Sequence, residues 1–145
     1  MFYDVSDLYL DNITLRLTKM CDGQAETFRL PTYYFDVCIP DGTIVGKCRF
    51  LVGNNEESYS FGNISVYIDY KFHGHRYGAK ACQLLFKQAK KHGMDYLIIA
   101  CPVDSAGGLR TCENLGGQFI ESCLIPDNVI DPAGEQKVNI YKVNL

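Results

Sequence analysis

The sequence contains no tryptophan, only five prolines, and no C-x-x-C pair among its seven cysteines. An odd count without paired spacing excludes a disulfide framework or a zinc ribbon, so the cysteines read as reduced thiols that pack as small apolar groups. Cys38, Cys48, Cys82 and Cys101 each fall inside an apolar pattern, and burial is expected for them. Long hydrophobic runs are missing as well. No stretch nears the roughly 18 apolar residues that span a bilayer, and residues 1–10 lack the basic start and apolar run of a secretory leader. The expectation is a cytoplasmic protein with no membrane partner. Nor is there an excess of positive charge: 14 Lys and Arg stand against 17 Asp and Glu, a net charge of -3, which argues against nucleic acid as a partner. Three histidines without paired spacing and no acidic cluster supply no ligand set, so no metal is expected. With no linker, repeat or low-complexity tract, 145 residues predict one domain over 1–145.

What the chain does have is a change of period along its length. Apolar and polar residues alternate over 13–17 and 34–39, the two-residue period of half-buried strands. Pro40, Asp41 and Gly42 supply turn chemistry before a β-rich stretch at 43–52, which predicts a hairpin. Residues 53–57 read as a polar break and 63–69 as the next strand. From Tyr77 the period turns helical: Cys82, Leu85, Phe86 and Ala89 share a face, Lys90, Lys91 and His92 suit the negative end of the dipole, and Gly93 suits the stop. Residues 95–101 are a continuous apolar run fit for a buried strand. Leu109, Cys112 and Leu115 mark a shorter helix ended by Gly116 and Gly117, and strands at 118–123 and 138–143 bracket a turn-rich segment holding Pro126, Asp127, Pro132 and Gly134. This order predicts an α/β (α+β) domain, a mixed and mostly antiparallel sheet with helices on its faces.

Chemistry concentrates at 69–80, Asp-Tyr-Lys-Phe-His-Gly-His-Arg-Tyr-Gly-Ala-Lys, between a strand and the long helix. A strand-to-helix turn presents unpaired backbone N–H groups and the positive end of the helix dipole, which suits a pyrophosphate. Gly74 and Gly78 let a ligand approach the backbone, and His73, His75, Arg76 and Lys80 could add donors.

This stretch resembles motif A of the GNAT N-acetyltransferase family, Q/R-x-x-G-x-G/A, with His73, Arg76 and Gly78 at the three defined positions. The resemblance covers roughly 34–119. Residues 104–116 resemble motif B, with Ser105 in place of the usual Asn and Gly108 in place of the usual Ser. It implies a GNAT-like acyl-CoA N-acyltransferase fold in which strands 63–69 and 95–101 splay to admit the pantetheine arm. It also implies that acetyl-CoA, as acetyl donor, is held by the backbone of Val66 and Ile68, by His73, Gly74, His75, Arg76, Tyr77, Gly78 and Ala79, and by Ser105. The acceptor would be a primary amine on a small molecule or a protein. Many members carry a tyrosine acid on the motif B helix; the matching position is Cys112, whose spacing with Leu109 and Leu115 marks it as core. Tyr67 and Asp69 point by alternation to the face opposite Ile68, and either is a candidate acid or base. The rival reading is a non-catalytic acyl-CoA-binding sensor or interaction module on the same fold.

In the family two helices separate the first two strands and wall the substrate site, whereas here only residues 19–31 intervene. The open side is closed by residues 1–12, by a second subunit, or by a large acceptor. Apolar sheet surface left exposed there, together with an edge strand at 138–143, predicts a homodimer.

Overall fold

Alternation in the first half of the chain yields strands that pair in sequence order. β1 (Tyr9–Leu10), β2 (Ile13–Cys21), β3 (Thr32–Cys38), β4 (Ile44–Leu51) and β5 (Ile64–Ile68) form one antiparallel sheet. The strands β6 (Tyr96–Pro102), β7 (Gln118–Pro126) and β8 (Glu135–Asn144) form a second, in the order β6-β8-β7. Three helices occupy connections: α1 (Glu56–Phe61), α2 (Tyr77–Lys91) and α3 (Ala106–Asn114). The computed structural model describes residues 2–24, 29–126 and 135–145, so the predicted turn residues Asp127, Pro132 and Gly134 lie outside the described residues. The mixed α+β class is that expected, and no helix among the described residues is long and apolar enough to cross a membrane.

The core lies between the first sheet and α2. Tyr77, Ala81, Cys82, Leu84, Leu85 and Ala89 form the buried stripe of the helix, facing Leu15, Tyr33, Phe35, Cys48, Phe50 and Ile64 of the sheet. Lys90 and Lys91 sit in its last turn, and Gly93 follows at φ 73, the left-handed stop read from the sequence. Residues 2–12 run along this helix. Asp7 pairs with Lys87 and Lys91, and Asp11 and Asn12 hold Lys80.

Three expectations need correction. Residues 53–57 are not merely a break, because Asn55 caps α1 in a reciprocal box with Ser58. A helix of six residues is too short to show a period. The strand over 138–143 is not an edge: β8 pairs with β6 on one side and β7 on the other. The sheet face turned away from α2 is polar rather than apolar, carrying Arg16, Asp36, Lys47 and Arg49.

Besides their shared core, the two sheets are tied by hydrogen bonds at Asn63. Asn63, fully buried, donates from its side chain to the carbonyls of Leu51 (3.0 Å) and Gly53 (2.6 Å), and accepts from the Ile98 N–H (2.8 Å). Its backbone N–H donates to Ile98 (2.7 Å) and its carbonyl accepts from Leu51 (2.7 Å). Gly62 beside it has φ 82, and a Cβ there would lie 2.9 Å from the Ala100 nitrogen, so the approach needs glycine. Past this point β5 and β6 share no ladder, and the two strands part.

At the far end of α2 a polar cluster closes the core. The Tyr33 hydroxyl accepts from the Tyr3 N–H (2.7 Å) and from Gln88 Nε2 (3.1 Å), so its own proton goes to His92 Nε2 (2.7 Å). His92 is thereby required neutral. Burial, reinforced by the neighbouring Lys91 charge, holds its pKa below the ordinary value. Because the folded value is depressed, the contribution is complete above the unfolded value of about 6.5 and is lost as pH falls through the folded one. Denaturant midpoints should thus drop between about pH 7 and pH 5 in the wild type and drop less in His92→Gln. Equal drops in both proteins would show that this cluster does not sense protons.

Candidate functional site

The register of β5 determines which of its groups are free. Backbone bonds at Leu51–Asn63 and Val45–Asp69 bracket the β4–β5 ladder. Alternation then turns the N–H and C=O groups of Ser65 and Tyr67 toward β4, and those of Ile64, Val66 and Ile68 toward the side on which β6 departs. The Ile68 carbonyl on that side accepts from His73 Nε2 at 2.7 Å. Side chains alternate as well: Ile64 is buried toward α2, while Tyr67 is 63% exposed on the opposite face. Tyr67 and Asp69 thus lie at the end of the parted strand, on the face away from α2.

Beyond Asp69 a single 3-10 turn, Tyr70–Phe72, leads through His73, Gly74 and His75 into α2. Arg76, the residue before the helix, adopts φ 63 and ψ 22, the left-handed region that favours glycine. This is the position where the resembling motif carries its first glycine, and the arginine costs about 1–2 kcal/mol of local strain. No side chain caps the helix, and its ladder begins with the Lys80 N–H on the Arg76 carbonyl at 3.1 Å. The N–H groups of Tyr77, Gly78 and Ala79 stand before that ladder. A Cβ on Gly74 would meet nothing within 4 Å, and one on Gly78 only the Ile68 side chain at 3.8 Å. A diphosphate therefore fits against the first turn. Of the side chains expected to assist it, His75 stacks on Tyr77, His73 is committed to the Ile68 carbonyl, and Lys80 bonds to Asn12.

Ser105 lies at the head of α3, where its hydroxyl accepts from the Gly108 N–H at 3.3 Å. It serves as the cap of that helix. A Cβ on Gly108 would lie 2.7 Å from Ser105 Oγ and 2.8 Å from Cys101 Sγ, so the usual serine of the resembling motif does not fit here. Cys112 is 4% exposed and packs in the core, as its spacing predicted. Its hydrogen bond to Cys101 and its burial push its thiol pKa far up, while the same bond draws Cys101 below the usual thiol range. Cys82, beside Cys101, is pushed up to about 12 by burial. Cys112 thus keeps its proton rather than exchanging it.

Sequence reasoning placed Asn63 at the start of a strand but missed its hydrogen bonds, and it missed the ion pairs that join β2, β3 and β4. Asp36 is buried between Arg16 (3.0 Å) and Lys47 (3.3 Å). A cavity of about 530 Å³ lies beside α1, lined by Asn54, Asn55, Glu56, Tyr59, Ser60 and Tyr96. None of the predicted site residues lines it.

The model of the acetyltransferase (GNAT) family matches residues 4–116. No curated protein matches the chain in sequence. Among solved structures, yncA of Salmonella typhimurium with acetyl-CoA superimposes with a TM-score of 0.61 at 15% identity, over 79% of this chain and 65% of that one. The microcin C7 self-immunity acetyltransferase MccE, in complex with acetyl-CoA and AMP, gives 0.62 at 16% identity, over 79% and 61%. The ribosomal-protein-alanine N-acetyltransferase of Brucella melitensis gives 0.61 at 14%, over 79% and 69%. At these identities the likeness is one of fold. The chain spans 65% of yncA and 64% of the next two neighbours, somewhat under two thirds of their length.

The crowding at Gly108 generates a test. Gly108→Ser, the substitution toward the motif, should destabilise the protein by about 1–3 kcal/mol in denaturant melts, because its Cβ overlaps Cys101 and Ser105. An unchanged or raised midpoint would mean that α3 shifts freely on β6.

Proposed function

The chain belongs to the GNAT acetyltransferase family, and on that premise we propose that it binds acetyl-CoA along β5 and the first turn of α2 and moves the acetyl group to a primary amine. The observation that supports this reading most is a pair of neighbouring edges: the gap-facing backbone of Val66 and the Ile68 N–H, beside an Ile68 carbonyl that His73 already engages, and the uncapped N–H groups of Tyr77, Gly78 and Ala79. Acetyl-CoA supplies an acetyl group already activated as a thioester. The helix turn would hold its diphosphate through backbone donors and the helix dipole. The Val66 and Ile68 groups would align the pantetheine arm as an added strand is aligned, and a backbone N–H on the same edge would stabilise developing oxyanion charge.

The face toward α2 and α3 is filled by Ala81, Cys82, Cys101 and Cys112, so the amine reaches this edge from the opposite face. There its nitrogen forms the C–N bond as the C–S bond breaks; the amine gives up one proton and the departing sulfur gains one. Tyr67 and Asp69 are the titratable groups of β5 and its end on that face, and either can carry a proton there. His73 and His75 stand at the phosphate end, away from the transfer.

Two measurements test this. Gly78→Glu places a carboxylate where the diphosphate would lie, so calorimetry should show acetyl-CoA binding abolished with melting unchanged; normal affinity would refute the assignment. Separately, Tyr67→Phe or Asp69→Asn should lower kcat about 100-fold with acetyl-CoA affinity retained. Full turnover in both variants removes them as proton carriers, and binding without turnover by the wild type on every amine tried would favour the sensor reading.

A further inference from the structure

Antiparallel register assembles two rows of side chains on the face turned away from α2. Arg16 stands opposite Asp36, Asp36 opposite Lys47, and Lys47 opposite Tyr67. Beside them run Lys19, Tyr34, Arg49 and Ser65. The rows hold four cations and one carboxylate, although the whole chain has a net charge of -3. Asp36 is shared: with a side chain 8% exposed, it accepts from both Arg16 and Lys47, whose side chains are 57% and 76% exposed. Burial acts to raise the Asp36 pKa, but the two cations outweigh it and hold the carboxyl below its usual range. A single carboxylate between two cations leaves one positive charge over. Lys19 lies above the Tyr34 ring at 5.7 Å. Arg49 donates to the Phe61 carbonyl at 3.4 Å, and no carboxylate among the described residues forms an ion pair with it. It lines a cavity of about 290 Å³ together with Tyr34, Phe61 and the carboxylates Asp22 and Glu57, the last of which accepts from the Leu30 N–H.

We propose that this basic sheet face selects the acceptor, and that the acceptor is an acidic peptide whose carboxylates meet Lys47, Arg16 and Arg49 while its amine reaches the Tyr67 end of the row. The inference rests on the acetyl-transfer reading above and names the substrate class for it. Its scale favours a peptide over a small amine. Strands lie ~4.8 Å apart, so Lys47 is ~5 Å and Arg16 ~14 Å from Tyr67 along the row. An extended chain advances ~3.3 Å per residue and would bring its second residue near Lys47 and its fifth near Arg16. A small molecule would reach only one of them. The cations have a second effect. Positive charge beside the amine disfavours its ammonium form and so raises the fraction present as the neutral nucleophile.

The test uses three peptides of one length and a free N-terminal amine, with Glu, Gln or Lys at positions 2, 4 and 5, and reads thiol release from acetyl-CoA. The wild type should show kcat/KM about 10-fold higher for the Glu peptide than for the Gln peptide, with the Lys peptide lowest and the differences shrinking as salt rises. The double variant Arg16→Glu, Lys47→Glu should reverse the order of the Glu and Lys peptides. Lys47→Gln, which leaves Asp36 its Arg16 partner, should reduce the preference, and Lys47→Arg should restore it. The ratio between peptides is internal to each variant, so partial loss of folded protein does not mimic the result. Equal rates for the three peptides, or a ratio untouched by the charge changes, overturns the proposal. So does turnover of a small primary amine with all three peptides refused, and in that case acetyl transfer itself stands. If calorimetry finds no acetyl-CoA binding and no amine is acetylated, both readings fall together.

Discussion

The site depends on one buried amide. Asn63 makes three hydrogen bonds to backbone groups through its side chain and two through its own backbone, and these tie the end of β4 and the start of β5 to the middle of β6. Each partner is a backbone group that would otherwise be buried unpaired, at a cost of about 1–3 kcal/mol apiece. A staple at one end lets two strands start together and then separate. Had the sheet been continuous, the Val66 and Ile68 edge would have been consumed by a ladder with β6, and nothing would be left for a ligand to pair with. Gly62 is part of the same constraint, since only its missing Cβ lets the chain come this close to Ala100.

Local periodicity made much of this legible. The stripe from Tyr77 to Ala89 gave α2, Gly93 its end, and Pro40, Asp41 and Gly42 the hairpin, because each signal lies within a few residues of its effect. The glycine-containing turn before α2 was legible for the same reason, and it resembles a family motif strongly enough to name the fold. What escaped was nonlocal. Arg16, Asp36 and Lys47 lie 20 and 11 residues apart, and only strand register makes them a cluster. The central place of β8 could not be read from its alternation, which an edge strand would share. The helix α1 left one sign, the Asn55 and Ser58 capping pair, in a stretch whose polarity reads as a loop.

The departures from the resembling motifs have physical readings. At Arg76 the backbone keeps the left-handed turn that glycine would take freely, and a bulky residue bears the strain. At Gly108 the reverse holds: the space a serine would need is taken by Cys101. At Cys112 a buried thiol, hydrogen-bonded to Cys101, fills the core position where many chains with the resembling motif carry a tyrosine.

Hydrogen exchange of backbone amides, with and without acetyl-CoA, tests the central claim most directly. The account predicts that the Val66 and Ile68 amides and those of Tyr77, Gly78 and Ala79 gain protection together on binding, while β7 at the far edge is unaffected. Protection confined to the cavity beside α1, from Asn54 to Ser60 and at Tyr96, with the parted edge and the helix turn unchanged, would contradict it.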